Sequence, residues 1–151
     1  MSGINFRDLL AKPADKIKRP MPLPAGTYRG VIKAKSFDVS RNKGTPFVRL
    51  TLQPTMAEAD IAPEDLLEAD GVTPINIAAK TLRIDMYLTD DAQYRVVELA
   101  NSLGIPTEGR SLGEIIEDFP NNNVIMSVTQ SASTVNPEEI FNNVNKLAAA
   151  D

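Results

Sequence analysis

Residues 27–53 read TYRGVIKAKSFDVSRNKGTPFVRLTLQ, and this stretch decides the fold class. Its first part, Thr27 through Asp38, is rich in β-forming residues and mostly alternates polar with apolar positions. Its last part, 46–53, alternates cleanly: Val48, Leu50 and Leu52 face one way, and Phe47, Arg49 and Thr51 the other. Between them, Ser40-Arg41-Asn42-Lys43-Gly44 is a turn, because Asn and Gly tolerate the positive φ that tight turns require. The sum is a long β-hairpin.

Working outward, residues 80–88 predict a third strand. Leu82, Ile84, Met86 and Leu88 form its apolar face, and Thr81, Arg83, Asp85 and Tyr87 point the opposite way. A helix follows, capped by Thr89 or Asp90, with Ala92, Val96, Leu99, Ala100 and Leu103 at helical spacing. Gly104 and Pro106 stop it. Ser111, with Glu114 three residues on, is a capping-box pattern for a short second helix that ends near Phe119-Pro120. Residues 123–130 and 139–147 read as strands four and five. In the fifth, Phe141, Val144 and Leu147 break simple alternation, which points to a bulge.

The domain organisation follows from composition. Residues 1–25 read as an extended basic arm, with Lys12, Lys16, Lys18 and Arg19 among prolines that deny it a regular helix or a central strand. Residues 26–147 form one domain, with an acidic insertion at 54–79, and 148–151 are a short tail. The order strand, strand, strand, helix, strand, strand predicts a mainly β fold: a five-stranded OB-type barrel with a helix between strands 3 and 4. A β-sandwich or an open α+β sheet with the same order is the rival.

The 151 residues include neither cysteine nor histidine. Disulfides, thiolate and Ser-His-Asp chemistry, and the usual zinc sites are therefore excluded. No Gly-rich phosphate loop or dinucleotide fingerprint is present. Asp85, Asp90 and Asp91 cluster in sequence, but helix capping and balance against Arg83 or Arg49 explain them better than a metal does. The chain reads as a non-enzyme without a cofactor. No apolar run is long enough to span a membrane, and the N-terminus lacks a secretory core, which predicts a cytoplasmic protein.

The net charge of -4 is unevenly spread: residues 1–49 carry 11 Lys/Arg against 3 Asp/Glu, and residues 50–151 carry 5 against 17. A phosphate backbone responds to the local field, so an acidic total is compatible with a basic groove. Sequence-tolerant binding of single strands requires cations for phosphates and aromatic faces for bases. Simple alternation places Arg29, Val31, Lys33, Lys35 and Phe37 on one face of strand one. Phe47 and Arg49 on strand two, Arg83 and Tyr87 on strand three, and Arg41 and Lys43 in the turn complete a candidate nucleic-acid-binding set. Phe37 and Phe47 read equally well as stacking platforms or as core. Tyr28 alternates onto the other face and reads as core.

Three segments carry a family resemblance. They are Leu23-Pro24-Ala25-Gly26-Thr27-Tyr28, then Lys43-Gly44-Thr45-Pro46-Phe47-Val48-Arg49-Leu50-Thr51-Leu52, and Met86-Tyr87-Leu88-Thr89-Asp90 with the helix closing on Leu103-Gly104-Ile105. Over roughly residues 23–130 the chain resembles phage-encoded single-stranded-DNA-binding proteins with an OB fold. The resemblance implies sequence-tolerant binding and protection of single-stranded DNA in replication, recombination or repair, in the host cytoplasm. It implies single-stranded DNA, replication or recombination proteins and a second copy of the chain as partners. Many such proteins end in an acidic tail that recruits partners; here Ala148-Ala149-Ala150-Asp151 has no acidic run. The competing expectation is a protein-interaction or structural phage module, a virion component or host-enzyme inhibitor, that uses the acidic surface.

Overall fold

The computed structural model of the chain describes residues 6–11, 13–14, 20–135 and 139–150. Five strands dominate it: β1 (Gly26–Val39), β2 (Pro46–Ala57), β3 (Leu82–Tyr87), β4 (Asn123–Ala132) and β5 (Ile140–Ala149). Helices α1 (Phe6–Leu10), α2 (Tyr94–Ser102) and α3 (Leu112–Glu117) accompany them, with α2 and α3 between β3 and β4. The strands make one antiparallel sheet in the order β3-β2-β1-β4-β5. It curls until Cα atoms of its two edges, β3 and β5, lie within 8 Å of each other. The expected element order and mainly β class hold, but these edges share no ladder, so the sheet is not closed as a barrel.

The inner face carries the core. Tyr28 and Ile32 of β1, Val48, Leu50 and Leu52 of β2, and Val124 and Met126 of β4 are fully buried. Burying each such aliphatic side chain contributes roughly 1.5–3 kcal/mol. Val96, Leu99 and Ala100 of α2, Ile115 and Ile116 of α3, and Phe119 add to this core. The expected capping box forms at α3: the Ser111 hydroxyl accepts from the Glu114 amide, and the Glu114 carboxylate accepts from the Ser111 amide.

β1 passes between β2 and β4 at Gly30. A Cβ there would stand 2.4 Å from the Gln53 carbonyl oxygen and 2.5 Å from the Met126 methyl carbon, so only glycine fits. β2 runs on past residue 53 to Ala57, four residues beyond its expected end. Proline usually terminates a strand, but Pro54 lies beyond the stretch of β2 paired with β3. It also adjoins a register shift at which Thr55 is the extra residue, and a bulge is where a strand tolerates proline.

Three further readings of the domain organisation differ from the sequence expectation. Met21–Pro24, read as part of a free arm, is tied into the fold: Leu23 is fully buried, its amide donates to Asn142 Oδ1 at 2.9 Å, and its carbonyl accepts from Gln130 at 2.7 Å. The acidic insertion is not a plain loop, because Ile61 and Ile75 enter the core. Ala148 and Ala149, counted with the tail, pair with β4 as the end of β5. The bulge expected in strand five is present, with Asn145 skipped between the pairs Ser127–Lys146 and Val128–Val144. Of the basic arm residues, Lys12, Lys16, Lys18 and Arg19 lie outside the described residues.

Candidate nucleic-acid interface

Residues directly opposite in an antiparallel sheet share a face, so the register maps the outer surface. On β2 and β3 the outer pairs are Phe47–Tyr87, Arg49–Asp85 and Thr51–Arg83. From β1, Asp38 joins Phe47, Ser36 joins Arg49 and Ala34 joins Thr51. This corrects the expected face of strand one. Ile32 pairs with Leu52 but Ala34 pairs with Thr51, so Lys33 is an extra, bulged residue. One extra residue inverts every side chain after it. Lys35 and Phe37 therefore oppose Leu50 and Val48, on the inner side, beyond the end of the core. Lys35 is ion-paired there with Glu117 of α3, and its ammonium lies 5.3 Å from the Phe37 ring centre.

Arg29 is also separated from the set. It opposes Met56, seven positions along β2 from Arg49 and so about 20 Å away, and it is ion-paired with Glu58. Of the ten expected residues, the fold brings together Arg41, Lys43, Phe47, Arg49, Arg83 and Tyr87.

Two open clefts meet at Tyr87. The first, of about 600 Å³, lies between the β1–β2 turn and the start of α2, and is lined by Arg41, Lys43, Thr45, Thr89, Asp91 and Arg95. The turn that shapes it is closed by the Ser40 amide donating to the Thr45 carbonyl at 2.9 Å, with Gly44 at φ +64°. The second, of about 1270 Å³, runs between β3 and β5 past Arg49, Lys80, Arg83, Asp85, Phe141 and Asn143. Each cleft is lined by three cations and one carboxylate, against a net charge of -4 for the chain.

The wall at the junction is layered. Phe47 is nearly buried, and its ring meets Tyr87 edge-on with centroids 6.0 Å apart. The Arg49 guanidinium lies 5.3 Å over the other neighbour, the Phe47 ring. Asp85 holds it with two hydrogen bonds, from Nε at 2.8 Å and Nη2 at 3.1 Å. That contact raises the Arg49 pKa further above its ordinary value. Tyr87 stays about half exposed, as does Phe141 across the second cleft. Among the described residues, no ion pair engages Arg41, Lys43 or Arg83.

The sequence reading missed Arg95 and Lys80. Arg95 falls outside the apolar stripe of α2, which marks it as solvent-facing but does not say that it meets the distant turn. Lys80 donates to the Met21 carbonyl at 2.7 Å, a contact 59 residues away that no local pattern signals. No protein-family model matches the chain, and no curated protein matches it.

The two phenylalanines that the sequence left open now separate. Phe37 is 55% exposed and Phe47 only 6%. Phe37→Ala is expected to cost less than about 1 kcal/mol of stability, whereas Phe47→Ala should cost about 3 kcal/mol through the cavity it leaves. Urea unfolding of both variants checks this, and equal losses would contradict the difference in burial between the two rings.

Proposed function

We propose that the protein is a non-enzymatic binding module for single-stranded DNA, which crosses the outer face of β2 and β3. The observation that carries the reading is the exposed Tyr87 ring at the meeting of two cation-lined clefts. Stacking on an aromatic ring requires an unpaired base, and cations flanking the ring suit the phosphates on either side of that base. The strand 2–3 face and the loop between strands 1 and 2 are the surfaces through which OB-type folds bind oligonucleotides. The role that follows is covering and protecting single strands during DNA replication, recombination or repair.

A fluorescence titration with oligo-dT, oligo-U and duplex DNA at two salt concentrations tests the proposal. Oligo-dT should bind more tightly than duplex, with affinity falling as salt rises. Tyr87→Ala should lower affinity for oligo-dT by about 1–3 kcal/mol, the worth of one stacked base, while the fold loses only the edge contact with Phe47, about 0.5–1.5 kcal/mol. Equal affinity for duplex and single strand would sink the reading and turn attention to the acidic 54–79 insertion and a protein partner.

A further inference from the structure

Resting on the single-strand reading above, we infer that Arg49 is a base-stacking residue, and that the phosphates run instead past Arg83, Arg41 and Lys43. All four are cations in the same pair of clefts, yet their surroundings differ. Arg49 is charge-compensated: Asp85 takes two of its N–H groups in a bidentate contact. A phosphate drawn to Arg49 would also approach the Asp85 carboxylate, and like charges at such range repel. Two positions along the same face, Arg83 opposes the uncharged Thr51 and has no carboxylate partner among the described residues. A phosphate there meets net positive charge.

What Arg49 offers is a plane. Its guanidinium is delocalised and flat, it is weakly hydrated, and it stacks on aromatic faces. Here the guanidinium carbon lies 5.3 Å over the Phe47 ring centre and Asp85 fixes the orientation, while Arg49 itself lines the second cleft. The Tyr87 ring and the Arg49 plane stand on adjacent outer rungs of the β2–β3 ladder, with Phe47 packed between them. Successive bases would meet first one platform, then the other. Guanidinium planes are established partners for unstacked bases.

Salt dependence separates the two roles, because only a phosphate contact releases counterions. The full chain and its Arg49→Gln, Arg49→Lys and Arg83→Gln variants are titrated with fluorescent oligo-dT from low to moderate salt, with melting curves as the folding control. Arg83→Gln should reduce the slope of log K against log salt by about 0.7, the value for one phosphate on a single strand. Arg49→Gln should weaken binding roughly 5- to 100-fold with the slope unchanged, as for a lost stacking partner. Arg49→Lys keeps the charge but not the plane, and should fail to restore affinity. The inference is overturned if Arg49→Gln flattens the slope as Arg83→Gln does while Arg49→Lys binds normally, or if neither Arg49 variant changes binding. A wild-type chain that does not prefer oligo-dT overturns the single-strand reading itself, which is a different failure.

Discussion

Replacing Tyr28 by alanine is expected to destabilise the fold by about 4 kcal/mol, and Tyr28→Phe by only about 1 kcal/mol. Tyr28 is fully buried on the central strand β1 and is among the largest fully buried side chains. Its ring stands in the core on the inner face of the sheet, with Ala57 of β2 and Met126 of β4 as its register partners, so truncation leaves a buried cavity. Its hydroxyl donates to the Pro24 carbonyl at 2.7 Å, fastening the incoming segment at Leu23-Pro24. Phenylalanine keeps the ring and loses only that bond. Burial first, then the nearby Asp60 charge, push the Tyr28 phenol up to about 12 from 10. The raised value means the fold favours the neutral phenol. The contribution is complete below pH 10 and is lost as pH rises through about 12. Chemical denaturation at neutral pH measures both variants, and an alkaline melting series should show wild type falling across that window more steeply than Tyr28→Phe. A Tyr28→Ala variant as stable as wild type would contradict the core described above.

The second large effect concerns binding. Neutralising Arg41, Lys43 and Arg83 together, as glutamine, should lower affinity for oligo-dT about a hundredfold near 0.1 M salt. The figure follows from three lost phosphate contacts at a slope of about 0.7 each. The total slope should fall by about 2. The three side chains lie in the β1–β2 turn and on the outer face of β3 and none enters the core, so melting should be unaffected. Lys35→Gln is the matched control. It removes a cation of the same hairpin that the bulge at Lys33 turns to the inner side, toward Glu117. Its effect on binding should be slight. A triple variant that binds as well as wild type, or a Lys35 variant that binds as poorly as the triple one, would remove the clefts from the account.

Much of the architecture was legible along the chain because it rests on local chemistry. Strict alternation in 46–52 assigned Val48, Leu50 and Leu52 to the core and Arg49 to the outside, and the burial agrees. The Ser111–Glu114 spacing specified its capping box, and the broken pattern of 139–147 announced the bulge at Asn145. Each signal involves neighbours within one turn or one strand.

What only the tertiary structure decided lies at the points where distant segments compete. In 27–38 alternation looked continuous, because Lys33, Lys35 and Phe37 are spaced as one face. Which residue a strand extrudes depends on its partners, and here pairing Ile32 with Leu52 and Ala34 with Thr51 extrudes Lys33. That single residue splits the expected cation face in two and sends Lys35 and Phe37 away from Arg49. The partnership of Arg49 with Asp85 spans 36 residues, and the meeting of Arg95 with the Arg41–Lys43 turn spans still more. The sequence by itself therefore determined the order of the strands, the core faces of β2 and β3, and the supply of cations and aromatic rings. The register determined which of those groups share a cleft, because a pleated strand carries two faces and one inserted residue exchanges them.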